Sequence, residues 1–116
     1  MLPICVQTIH VRELAAAVRF YQSALGYEVK ATYGACIVQL KTGATTLILE
    51  EIEPGGEPAV PATLLSFETK DIQSDLRKVS EAGGTVLDAS PRRCPVGRFA
   101  VFQDPSGVQH SLLQFD

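Results

Sequence analysis

The plan of this chain is written twice, and that repeat constrains its fold more than any other feature. Sliding the first half by 58 residues places Val6 on Leu64, Val11 on Thr69, Glu13 on Asp71, Val18 on Leu76 and Gly26 on Gly84. A shift of 64 superposes Gly43 on Gly107 and the last strand of the first half on the last strand of the second. The first half reads as a strand (Ile4 to Val11), a helix (Glu13 to Leu25), then strands over Tyr27 to Tyr33, Cys36 to Leu40 and Thr45 to Ile52. Leu14, Val18, Tyr21 and Leu25 fall on one helical face, and Gly26 stands where a helix ends in a left-handed residue. The second half repeats this with a strand (Thr63 to Thr69), a helix (Asp71 to Ala82) closed by Gly83-Gly84, and strands over Thr85 to Leu87, Phe99 to Gln103 and Val108 to Phe115. Each half is therefore a βαβββ module, about 1–53 and 62–116, joined by a Pro/Gly linker at 54–61. One helix covers only one face of such a sheet, so two modules must pair, within the chain or between chains.

At 116 residues, the chain has the size of one α+β domain. Its longest apolar runs are only a few residues, which excludes a membrane-spanning helix, and Met1-Leu2-Pro3-Ile4-Cys5-Val6 lacks the basic start of a signal peptide. The cytoplasm is the expected compartment. Cys5, Cys36 and Cys94 are odd in number and have no CxxC spacing, so they read as free thiols rather than a disulfide framework or a zinc site. A net charge of −3, with no basic stripe and no Trp, argues against nucleic acid as a partner.

Two further stretches carry a family resemblance. Thr8-Ile9-His10-Val11-Arg12-Glu13-Leu14, followed by Phe20-Tyr21-Gln22-Ser23-Ala24-Leu25-Gly26-Tyr27, resembles the opening of the vicinal-oxygen-chelate superfamily of glyoxalases, bleomycin-resistance proteins and extradiol dioxygenases. Gly97 to Gly107, ending in Asp104-Pro105-Ser106-Gly107, resembles its closing strand and DPxG turn. The resemblance implies a curved mixed sheet around a cavity, a small organic ligand and a homodimer. It also implies four metal-ligand positions, usually His, Glu or Gln, which fall here on Val6, Leu47, Leu64 and Ser111. Those side chains cannot hold a divalent metal, so no metal and no cofactor are expected. Register in the fourth strand is open at this stage, with Leu49, Glu50 or Glu51 as alternatives to Leu47.

Strand alternation then selects the residues of the ligand site. Thr8 and His10 share a face with Val6; Ser66 and Glu68 share one with Leu64; Gln109, Leu113 and Phe115 accompany Ser111; Leu49 and Glu51 accompany Leu47. The candidate ligand-binding set is Thr8, His10, Leu47, Glu51, Ser66, Glu68, Arg98, Gln109 and Ser111. His10 is suited to general-base or hydrogen-bonding work, against a competing reading as a rim histidine that only solvates a sheet edge. His110 has the opposite parity to Ser111 and should pack toward a helix. Arg92, Arg93 and Arg98 are either an anion-recognising loop or a solvated hairpin, and Glu50, Glu51, Glu53 and Glu57 form an acidic counterpart near the linker. The leading expectation is a non-enzymatic protein that binds a small organic molecule in a metal-free cup between the repeats, for sequestration or resistance. The alternatives are a glyoxalase- or dioxygenase-like enzyme, metal-independent through His10 with Glu51 or Glu68 or holding its metal in another register, and an accessory protein without catalysis.

Overall fold

The computed structural model describes residues 1–53 and 61–116, so the expected linker, apart from Pro61, lies outside the described residues. The fold is α+β, and the chain forms two compact units, one spanning Val6–Thr63 and the other Met1–Cys5 with Leu64–Asp116. The first five residues thus belong with the second unit. The cause is local. Pro3 accepts a backbone hydrogen bond from Glu68 at 2.8 Å, and the Cys5 thiol lies 3.5 Å from the Ser66 carbonyl. Among the described residues no helix is long and apolar enough to cross a membrane.

In the first unit the elements are β1 (Ile4–Val11), α1 (Leu14–Leu25), β2 (Glu28–Tyr33), β3 (Ile37–Lys41) and β4 (Thr46–Glu51), with strand order β2-β3-β4-β1. β1 and β4 are parallel; the other pairs are antiparallel. Leu14, Ala17, Val18 and Tyr21 recur at helical spacing and cover Val38, Leu40 and Leu49, with Ile9, Val11, Tyr27 and Leu47 around them. α1 stops at Gly26, whose φ of 76° would be strained in a residue with a Cβ and whose amide bonds back to Gln22.

The second unit repeats this order as β5 (Thr63–Glu68), α2 (Ile72–Glu81), β6 (Thr85–Val86), β8 (Gly97–Gln103) and β9 (Gln109–Phe115), arranged β5-β9-β8-β6. One additional short strand, β7 (Arg92–Cys94), pairs with β8, so the arginine segment is a hairpin. Ile72, Leu76, Ala100, Phe102 and Leu112 form its core, flanked by Phe67, Val79 and Val86. His110 lies on this helix side, as expected from its parity, with its ring 5.4 Å from Phe67 and 5.6 Å from Phe102.

Both helices begin on a side chain borrowed from the last strand of their unit. α1 has no side-chain cap of its own; the Glu51 carboxylate accepts the Leu14 amide at 2.8 Å. α2 has Asp71, which caps Ser74 at 3.1 Å, and in addition Gln114 Oε1 accepts the Ile72 amide at 2.9 Å. Gly97 makes room for the second of these joints, because a Cβ there would collide with the Gln114 carbonyl.

Replacing Glu51 with Ala should lower unfolding free energy by about 1 kcal/mol, since a helix amide loses its acceptor, whereas Glu51→Gln should cost less than half as much. Urea denaturation of the three proteins measures this. Equal losses for Ala and Gln would show that the charge, and not the hydrogen bond, carries the contribution.

Candidate functional site

Each sheet has one face covered by its helix and one that is helix-free, and the parallel pairs decide which residues lie on the latter. Val6 aligns with Thr46, Thr8 with Ile48 and His10 with Glu50. Ile9, Val11, Leu47 and Leu49 pack against α1, so Val6, Thr8, His10, Thr46, Ile48 and Glu50 lie on the opposite, helix-free face. This corrects the expected fourth strand. Leu47 lies against the helix, and Glu51 is committed to the Leu14 amide on that same side.

A single residue accounts for the error. Ser66 aligns with Ser111 and Thr8 with Ile48, so the last strands superpose at a shift of 63, not 64. Five positions separate Gly43 from Ile48, but four separate Gly107 from Ser111, and a one-residue slip exchanges the two faces of a strand. The position corresponding to Ser111 is therefore Ile48.

On the second unit the expected parity holds for Ser66, Glu68, Gln109, Ser111 and Leu113, which lie opposite the core of Phe67 and Leu112. Ser66 and Ser111 are 6% and 2% exposed, and their hydroxyls meet at 2.6 Å. Each hydroxyl thus satisfies the other. Glu68 lies 3.9 Å from Lys70, which is exposed. Arg98 does not belong to this group. It alternates with Phe99, which aligns with Leu113, and so takes the helix side with Ala100, opposite Gln114. The other two arginines of the cluster are occupied. Arg92 lies 4.7 Å over the Phe99 ring and 3.1 Å from Asp88, while Arg93 makes a two-pronged contact with Asp116 at 3.0 and 3.1 Å. The hydrogen bonds from Arg93 hold the Asp116 carboxyl below its ordinary range. These exposed pairs are those of a solvated hairpin, the second of the two expected readings.

His10 is the one histidine on the helix-free faces. Its Nδ1 lies 2.6 Å from the Pro61 carbonyl, and its own amide donates to Ala62 at 2.9 Å. A carbonyl only accepts, so Nδ1 carries the proton and the neutral ring keeps its lone pair on Nε2. Glu50, its neighbour across β1 and β4, escaped the candidate set because of the register slip. The alternation Leu47-Ile48-Leu49-Glu50 is apolar on both sides and offers the sequence no phase.

The four ligand positions that the resemblance implies now read Val6, Ile48, Leu64 and Ser111. Three are hydrocarbon, and the fourth is a hydroxyl already paired with Ser66. This donor set does not fit a divalent metal. Among the described residues no three His, Cys, Asp or Glu side chains come together as a metal-holding group.

The family model for the Glyoxalase/Bleomycin resistance protein/Dioxygenase superfamily matches residues 5–112. No curated protein sequence matches the chain. Among solved structures, a hypothetical protein from Bacillus halodurans superposes with a TM-score of 0.81 at 15% identity, covering 98% of this chain and 94% of that one. A variant of methylmalonyl-CoA epimerase from Streptomyces coelicolor, in complex with 2-nitronate-propionyl-CoA, gives 0.73 at 25% identity, with coverage of 99% and 96%. A superfamily member from Vibrio splendidus gives 0.67 at 19% identity, covering 98% and 99%.

The serine pair makes a direct prediction. Ser66→Ala or Ser111→Ala alone should destabilise by about 1–3 kcal/mol, because each strands a buried hydroxyl, and the double variant should cost clearly less than the sum. A double-mutant cycle by chemical denaturation reads the coupling. Strict additivity would mean that the two hydroxyls do not depend on each other.

Proposed function

We propose that this chain, which belongs to the Glyoxalase/Bleomycin resistance protein/Dioxygenase superfamily, binds a small organic molecule without a metal, on the helix-free faces of its repeats. One observation carries the reading. The positions where the superfamily resemblance implies ligands hold Val6, Ile48 and Leu64, with Ser111 closed against Ser66. Side chains of this kind bury apolar ligand surface and offer no donor to a metal ion, while Thr8, His10 and Glu50 supply the few polar groups that orient a ligand. Sequestration requires nothing more. A homodimer is part of the same proposal, supported by Phe20 and Leu25, which are each 58% exposed on α1, and by the open edge of β2.

A metal-independent enzyme is the second reading, favoured by the tautomer of His10. A lone pair on Nε2, on a strand aligned with one that carries a carboxylate, is suited to moving a proton. Neither carboxylate first expected to assist it is the aligned neighbour, because Glu51 binds the Leu14 amide and the residue opposite His10 is Glu50.

Purified protein should contain no stoichiometric Zn, Ni, Mn or Fe, and these ions should leave its melting temperature unchanged. A bound small aromatic should raise it by a few degrees at saturation, as any ligand selective for the folded state must. About one metal per chain, with a matching rise in melting temperature that His10→Ala abolishes, would overturn the metal-free reading. Sedimentation at micromolar concentration should show a dimer, and monomer alone would remove that part.

A further inference from the structure

Among the described residues, the helix-free face of the first unit carries a carboxylate, Glu50, that no cation answers; Lys41, on the same face, aligns with Glu28 at the other end of β3. Glu50 lies between Ile37 on β3 and His10 on β1 in the register of the sheet, half-buried, with Ile48 two residues before it on the same face. Among the described residues no hydrogen bond or ion pair reaches its carboxylate; the ion pairs of the chain join Lys70, Lys78, Arg92, Arg93 and His110 to other acids. The contrast with its neighbour is informative. Glu51 turns to the helix side and is satisfied by the Leu14 amide. The His10 ring, aligned with Glu50, spends its proton on the Pro61 carbonyl and so also presents an acceptor at Nε2.

An unpaired carboxylate, with the aligned His10 presenting a second acceptor from the neighbouring strand, is suited to a group with several N–H bonds and a positive charge. An ammonium group meets that description, and a carboxylate or phosphate is repelled by it. We infer that the small molecule bound by this protein carries a primary or secondary amine, whose ammonium is held by Glu50 with His10 Nε2 accepting a further hydrogen bond. The apolar body of the ligand then rests on Val6, Ile37 and Ile48, which lie on the same face. This inference rests on the metal-free binding reading and specifies the class of ligand.

The test uses three molecules of one shape, benzylammonium, benzyl alcohol and benzoate, titrated into the isotopically labelled full chain and followed by amide and His ring resonances. Benzylammonium should shift the signals of Thr8, His10 and Glu50 and bind about ten-fold more tightly than benzyl alcohol, with benzoate weakest, the margin that one charge-assisted contact supplies. Glu50→Gln, which keeps the shape and removes the charge, should abolish the preference and leave the binding of benzyl alcohol unchanged. Equal binding of the amine and the alcohol, or an unchanged preference in Glu50→Gln, overturns the inference while the binding reading stands. If none of the three perturbs these residues, both fall. The wild-type series alone decides the preference, so the test survives a variant that does not fold.

Discussion

The parallel pairing of β1 with β4, and of β5 with β9, is the constraint on which the rest of this structure depends. Adjacent residues in a strand point to opposite faces, so one register assigns every side chain to helix or to open face at once. Leu47 and Leu49 complete the α1 core only if Ile48 and Glu50 turn away from it. Leu112 completes the α2 core only if Ser111 and Leu113 turn away. The hydrophobic packing of the helices therefore chooses which residues lie on the helix-free face.

Much of this was legible in the sequence because the helices announce themselves. Leu14, Val18 and Tyr21 at helical spacing, with Gly26 after them, placed α1 and its buried face. Ile72 and Leu76 did the same for α2. The parity of the last strand was legible as well, since polar Gln109 and Ser111 alternate with the core residue Leu112. The fourth strand was not. Its glycine landmark lies one residue further from the strand than its counterpart, and Thr46-Leu47-Ile48-Leu49 is too uniformly apolar to show a phase. Hidden for a different reason were the roles of Glu51 and Gln114 as helix caps, because each acts on a helix far away in sequence, where local capping patterns do not reach. The basic cluster hides the place of Arg98, because nearness in sequence does not show that alternation in β8 turns Arg98 to the face opposite Phe99.

The two repeats have treated their open faces differently. In the second, polarity is turned inward on itself, with Ser66 and Ser111 satisfying each other in near-complete burial. In the first, His10 is half-engaged through one ring nitrogen, and Glu50 is unengaged among the described residues. The two repeats thus differ in chemistry, with hydroxyls closed on one and, among the described residues, acceptors open on the other.

The surplus residue between Gly43 and β4 has a consequence for how such a chain varies. β4 is anchored at its far end by Glu51 on α1 and along its length by Leu47 and Leu49, so the extra residue could not be absorbed by sliding the strand. It was expelled into the turn before β4, where the Thr42 hydroxyl bonds the Thr45 carbonyl. Length in this turn is consequently decoupled from the identity of the exposed side chains. Changes of length in this loop leave the composition of the helix-free face unaltered.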